Sequence, residues 1–154
     1  MKLTTRGRYA VMAMVDLAEH GGEEPVCIGD IAERQNLSVA YLEQLFAALR
    51  RAELLSARRG RCGGYALTRP ADQISVAAVM AALDEDMDAT RCGGQAACTG
   101  NGERCRTHGL WMALSEQVQG FLADVSLDDV VAGTQLSAPT ALPLLVSWAP
   151  EPLK

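Results

Sequence analysis

Ser38 is followed by Leu42, Leu45, Phe46 and Leu49, an i, i+3, i+4, i+7 stripe that makes residues 39–52 a capped helix with one buried face. Directly before it, residues 29–35 read as a short helix closed by a tight turn at Asn36-Leu37. Two short helices joined in this way, the second opening on a serine cap, carry the helix-turn-helix signature. The next fifteen or so residues narrow the choice further. Residues 54–57 read as a strand and 65–67 as its partner, around the tip Arg58-Arg59-Gly60-Arg61-Cys62-Gly63-Gly64. A hairpin placed after a recognition helix is a wing. The expected fold is mainly α with a small β-hairpin wing, a winged helix-turn-helix.

The rest of the chain adds helices around this unit. Residues 6–19 form a first helix, with Tyr9, Met12, Val15 and Leu17 among alanines and Gly21-Gly22 as its boundary. Residues 25–28 are an extended link in which Cys27 is expected as a small buried hydrophobe. Residues 74–83 give a short helix with Ser75 as cap, closed by Asp84-Glu85-Asp86. From about Thr107 a long helix carries Leu110, Trp111, Leu114, Val118, Phe121, Leu122 and Val125 at steps of three and four, a broad apolar face. Ser126 caps one more short helix through Ala132, with Asp129 three residues on. The organisation is a DNA-binding unit at 1–83, a loop at 84–106, a long helix and short successor at 107–132, and a proline-rich, poorly ordered tail at 133–154.

The net charge of −5 hides an asymmetry. Residues 1–70 hold 10 Lys/Arg against 8 Asp/Glu, a balance of +2, while residues 71–154 hold 4 against 11, a balance of −7. Arg50, Arg51, Arg58, Arg59, Arg61 and Arg69 are opposed locally only by Glu53, which makes a basic patch on an acidic protein. On the 39–52 helix the apolar stripe leaves Ser38, Ala40, Glu43, Gln44 and Ala47 outward, where Gln44 suits adenine and Glu43 a cytosine amino group. Arg59 and Arg61 at the hairpin tip reach phosphates or a narrow minor groove. Arg6, Arg8, Arg50 and Arg51 are expected on phosphates, positioning the protein without reading bases. Aromatics make up 5% of the chain, too few for a base-stacking platform. The start lacks a signal-peptide pattern, and the uncharged stretch 130–150 is broken by glycine, prolines and polar residues. The reading is cytoplasmic with no membrane segment, and the five cysteines are then reduced thiols.

Three of those cysteines and a histidine fall within seventeen residues, Cys92-x5-Cys98-x6-Cys105-x2-His108, in a loop of glycines and small polar residues. With so little apolar content the loop cannot bury thiols as hydrophobes, so metal or cluster ligation is the better account. Three thiolates and an imidazole suit an iron–sulfur cluster or zinc. Structural zinc sites favour gaps of two to four residues, so gaps of five and six suit a larger inorganic core. Catalysis by Cys105 with His108 lacks any visible orienting group or substrate pocket, and no enzyme is expected.

Lys2-Leu3-Thr4 with Gly7-Arg8-Tyr9-Ala10, Ser38 with Tyr41-Leu42-Glu43-Gln44-Leu45-Phe46, Arg59-Gly60 with Gly63-Gly64-Tyr65, and Asp88-Ala89-Thr90-Arg91-Cys92 with Thr107-His108 together resemble the IscR family of iron–sulfur cluster regulators. The match runs from residue 2 to about 132. It implies a homodimeric transcription regulator, repressor or activator, with one 2Fe–2S cluster per subunit on Cys92, Cys98, Cys105 and His108. It further implies that cluster-assembly genes are the targets and the cluster-assembly machinery the donor. Tyr41 joins the DNA-facing set, Glu43 matches the residue by which the family separates two operator classes, and Leu110, Trp111, Leu114, Val118, Phe121 and Leu122 become the dimer contact. Two-fold symmetry implies a palindromic operator in double-stranded DNA. Rival readings are a related 4Fe–4S regulator responding to nitric oxide or iron, disfavoured by the histidine, and a zinc-stabilised interaction module. The chain departs from the family in a Cys98–Cys105 gap one residue longer than the usual five. It also has Arg61-Cys62 where the family has Pro-Gly, and a tail after 133 without resemblance. Cys62 beside arginines is either a reactive thiol or a neutral replacement.

Overall fold

The structure is a computed structural model and describes residues 4–22, 24–60, 63–90, 92–95, 97–98 and 102–133. Helix α1, Thr5–His20, opens on Thr4, whose hydroxyl accepts from the Gly7 N–H, and ends at Gly21. A Cβ on Gly21 would lie 2.3 Å from the Leu17 carbonyl oxygen, so the chain can leave the helix there only through glycine. Helix α2, Ile28–Gln35, stops at Asn36 in the left-handed region with φ 52, a conformation Asn tolerates. The Leu37 N–H then returns to the Ala32 carbonyl at 2.9 Å, which fixes the turn. Ser38 accepts from the Tyr41 N–H at 3.2 Å and starts α3, Val39–Arg51.

Strands β1, Leu55–Arg58, and β2, Gly64–Leu67, pair antiparallel, with Leu55 opposite Leu67 and Arg58 opposite Gly64. The wing is anchored twice. Tyr65 sits edge-on to Phe46 with ring centroids 4.7 Å apart. Its backbone also exchanges two hydrogen bonds with Val26, each 2.8 Å, so the link between α1 and α2 becomes a one-residue third edge of the sheet. Gly64 permits this approach, since a Cβ would sit 2.3 Å from the Val26 oxygen. The link is extended as expected, but Cys27 is exposed rather than buried. Val26 turns its side chain into the core, and the next residue of an extended chain points the opposite way.

A 3-10 turn, Ala71–Gln73, leads to α4, Val76–Ala81, capped by Ser75. Helix α5, His108–Asp124, and α6, Leu127–Val131, complete the fold, and Ser126 with Asp129 forms a full capping box on α6. The main core joins Ala10, Ala13, Met14 and Leu17 of α1, Ile31 of α2, the α3 stripe, Leu54, Ile74 and Leu127. Helix α6 thus docks back on the first helices, and the Leu127 N–H donates to the Ile74 carbonyl at 2.9 Å. A second cluster, Val76, Met80, Met87 and Val125, takes Val118, Phe121 and Leu122 of α5 against it. No described helix is long and apolar enough to cross a membrane.

One polar feature of the core leaves no mark in the hydrophobic pattern. Asp16 of α1 is buried and accepts from Arg34 Nε at 3.0 Å and Nη2 at 2.6 Å, and from Gln35 Nε2 at 2.8 Å. Burial pushes its carboxyl up, but the bonds from Arg34 and Gln35 and the guanidinium charge outweigh this and hold it below the usual range. Helices α1 and α2 are pinned together by this fork as well as by apolar contact.

Candidate metal centre and DNA-reading face

The loop reaches the start of α5 through polar contacts. Asp84, at φ 55, ends the α4 region, and Met87 plugs the second core cluster. Beyond it, Asp86 Oδ1 accepts from the Asp88 N–H at 2.8 Å and Asp88 Oδ1 from the Thr90 N–H at 2.6 Å. These two-residue steps are short Asx-type turns. The Ala89 N–H donates to the buried Ser115 hydroxyl at 2.8 Å, and that hydroxyl donates to the Trp111 carbonyl at 2.8 Å. The Gly94 N–H donates to Thr90 Oγ1 at 2.8 Å, and the Cys98 N–H to the Glu103 carbonyl at 2.9 Å. Gly93 and Gly94, both at positive φ, let the chain turn on itself between the first two cysteines.

These turns bring the ligand-type side chains together. His108, the first residue of α5, is buried, and its Nδ1 lies 3.0 Å from Cys98 Sγ and 3.5 Å from Cys92 Sγ. The two sulfurs are 3.6 Å apart, and one donor atom from each of the three residues lies within 4.8 Å of the others. Cys105 is outside this mutually close group but lines the same open cavity of about 600 Å³, with Thr90, Cys92, Cys98, Thr107, His108 and Trp111. Its Sγ is 3.6 Å from the Thr107 hydroxyl, which makes no cap bond to α5.

The thiols differ in their tendency to ionise. A hydrogen bond from Thr90 holds Cys92 below the ordinary thiol range, and one from Thr107 does the same for Cys105. At Cys98 the strongest influence, the Cys105 backbone N–H, lowers the pKa, but burial and the neighbouring thiols Cys92 and Cys105 together push it up. Deprotonated sulfur is the form that binds metal, so two of the three are prepared for ligation. The donor set fits an iron or zinc centre, and the cavity is roomy enough for a polynuclear core.

Away from the loop in sequence, Ser38, Ala40, Glu43, Gln44 and Ala47 are all exposed along α3. Tyr41 is half-buried and sits edge-on to Tyr9 with centroids 6.0 Å apart, so part of its ring serves packing. Arg8, Arg50, Arg51 and Arg59 are exposed, while Arg6 Nη1 donates to the Leu83 carbonyl at 3.2 Å. Arg61 and Cys62 lie outside the described residues, as does the tail from 134. Arg69, which the sequence pattern gives no specific contact, shares an open cavity of about 500 Å³ with Arg50, Glu53 and Thr68 at the base of the wing. On α5, Leu110, Trp111 and Leu114 are exposed, at 62%, 40% and 38%, whereas Val118, Phe121 and Leu122 pack within the subunit.

Comparison with known proteins agrees with this arrangement. Residues 3–133 match the family model Rrf2, described as an iron-dependent transcriptional regulator. The chain is 52% identical over 136 residues to the HTH-type transcriptional regulator IscR of Xenorhabdus nematophila, covering 88% of this chain and 82% of that protein. It is 53% identical over 131 residues to the IscR of Photorhabdus laumondii, covering 85% and 79%. Among solved structures it is similar to T. potens IscR, with a TM-score of 0.71, 34% identity, and 92% and 93% of the two chains covered. It is also similar to CymR, the global cysteine regulator of B. subtilis, with a TM-score of 0.76, 31% identity, and 87% and 98% covered.

Proposed function

The chain belongs to the Rrf2 family of iron-dependent transcriptional regulators, and from that premise we propose that it senses iron–sulfur cluster supply and adjusts its choice of operator accordingly. It is a regulator and not an enzyme. The observation that carries the proposal is the convergence of Cys92, Cys98 and His108 at the first turn of α5, with Cys105 on the same cavity. These four residues would hold one 2Fe–2S cluster per subunit, delivered by the cluster-assembly machinery. Such a group supplies iron–ligand bonds that are gained and lost with cluster supply, and a neutral imidazole among its ligands makes it easier to lose. The protein's own part is to keep His108 buried, to hold Cys92 and Cys105 toward the thiolate through Thr90 and Thr107, and to tie the loop to α5 through Ser115.

In the DNA-binding unit, 1–83, Glu43 and Gln44 would read base edges with Ser38, Ala40 and Tyr41 beside them, each good contact worth roughly 1–3 kcal/mol of discrimination. Arg6, Arg8, Arg50 and Arg51 would take phosphates, and the wing arginines Arg59 and Arg61 the minor groove. Leu110, Trp111 and Leu114, the free part of α5, would carry most of a homodimer contact, with Val118, Phe121 and Leu122 beneath it. A two-fold dimer then reads a palindrome in two half-sites. In this reading 84–106 is the cluster loop, 107–132 the dimerisation helix with its short successor and 133–154 a tail, in a cytoplasmic setting.

The test is an anaerobic absorption spectrum with iron, sulfide and zinc content on freshly purified protein. Visible bands with about two iron and two sulfide per chain support the reading, as expected for a 2Fe–2S centre. The compact three-donor group also favours a single zinc ion. A colourless protein with one zinc per chain that refuses reconstitution would overturn sensing and leave the DNA-binding fold standing.

A further inference from the structure

Residues 84–90 run from α4 to the first ligand, and on the way they grip two other helices. At the near end the Glu85 carboxylate accepts from the backbone N–H of Thr4 at 3.2 Å and from the Thr4 hydroxyl. Thr4 is the N-cap of α1, and a carboxylate there also favours the positive end of that helix. Next to it, the Arg6 guanidinium holds the Leu83 carbonyl. Gly7 allows the strap to lie this close, since a Cβ would stand 2.9 Å from Met80 Cε and 3.0 Å from Glu85 Cγ and Cδ. In the middle Met87 is buried with Val76, Met80 and Val125. At the far end Ala89 is bonded to Ser115, and Thr90 and Cys92 line the metal cavity. Along α1, Tyr9 meets Tyr41 in the first turn of α3, between Ser38 and Glu43. A series of contacts among the described residues therefore joins the metal cavity to the base-reading face within one chain, without using the wing.

We infer that Glu85 is a positioning residue for operator choice: by holding Thr4 it sets the start of α1, and through Tyr9 the first turn of α3, according to how residues 86–90 are held. The inference rests on the proposed function and names the route by which ligation at Cys92 reaches Glu43 and Gln44. Contiguity alone is no proof of coupling, so the coupling itself has to be measured.

The full chain is compared as wild type, Glu85→Ala and Ser115→Ala, each apo and anaerobically reconstituted with iron and sulfide. Two readouts are needed. One is amide hydrogen exchange over residues 4–10. The other is the ratio of affinities for two duplexes, those most enriched from a random pool by apo and by loaded wild-type protein. Loading should slow exchange in wild type but not in Glu85→Ala. The change in affinity ratio on loading should shrink by about fivefold or more in both variants, with visible spectra and iron content unchanged in Glu85→Ala. Loading-dependent exchange and selectivity equal to wild type in both variants would overturn the inference and leave the function intact. Exchange that responds to loading in wild type, with an affinity ratio that does not, would sink the functional reading and leave the strap standing.

Discussion

The helical head and the cysteine loop are held together by different physics. The head packs Phe46, Leu42, Leu45 and Leu49 together with α1, α2 and the wing and closes them with α6. In the loop no described residue from 88 to 107 is buried, and its shape rests on hydrogen bonds such as Asp88–Thr90, Thr90–Gly94 and Ala89–Ser115. Burial of a large apolar side chain contributes about 1.5–3 kcal/mol, whereas a hydrogen bond contributes about 1 kcal/mol net. The head therefore stays folded on its own account, and the loop has a shallow minimum that a bound centre can deepen. A sensor needs that inequality: the reading surface stays folded in both states while the ligand-bearing part changes most in order.

The comparison is most exposed at Phe46. Phe46→Ala should lower stability by about 3–5 kcal/mol in chemical denaturation, since it empties the core and unseats Tyr65 of the wing. A loss below about 1 kcal/mol, the scale of a loop hydrogen bond, would mean the head is not core-dominated. Asp16→Asn, which keeps the shape and removes the charge that binds Arg34, should cost about 2 kcal/mol. Its pH signature has a definite sign. The folded carboxyl lies below its unfolded value, so the stabilisation is complete above about pH 4 and is lost as pH falls through the folded value. Denaturation midpoints for wild type and Asp16→Asn should accordingly converge in acid.

Glu43 tests the surface of the same head. Glu43→Ala should leave stability within about 0.5 kcal/mol, because the residue is exposed, and relax base discrimination by roughly 1–3 kcal/mol in duplex binding. The smallest effect is expected in the loop. Cys98→Ser should abolish the visible bands of a reconstituted cluster while shifting the apo denaturation midpoint by less than the equivalent of about 0.5 kcal/mol. A large shift in apo protein would show that loop and head share one cooperative unit.

Legibility in the sequence divides along the same line. Helix ends are readable where a serine cap meets an apolar stripe, as at Ser38, Ser75 and Ser126, each of which accepts the expected backbone N–H. The ligand loop is readable from residue type alone, since clustered cysteines in a polar loop have few other uses. Hidden are contacts made by single residues across long sequence distance. The Val26–Tyr65 pairing is one residue long and leaves no periodicity, so an apolar link alone suggests a buried Cys27 where the structure has an exposed one. Asp16 sits among apolar neighbours, with its partner Arg34 eighteen residues away. On α5 spacing displays one continuous apolar face, whereas Val118, Phe121 and Leu122 are half-buried against α4 and its neighbours and Leu110 is not. Periodicity reports which residues want cover, not what provides it.

That uneven burial of α5 has a mechanical consequence. The helix is packed on the core near Val125 and tied to the ligand loop near His108 and Ser115, so movement of that loop acts on a lever with its fulcrum at the C-terminal end. At 1.5 Å per residue its seventeen residues make an arm about 25 Å long. A swing of about 10° at the fulcrum would carry the tip, with Leu110 and Trp111 close behind it, through about 4 Å, an amplification fixed by helix length alone.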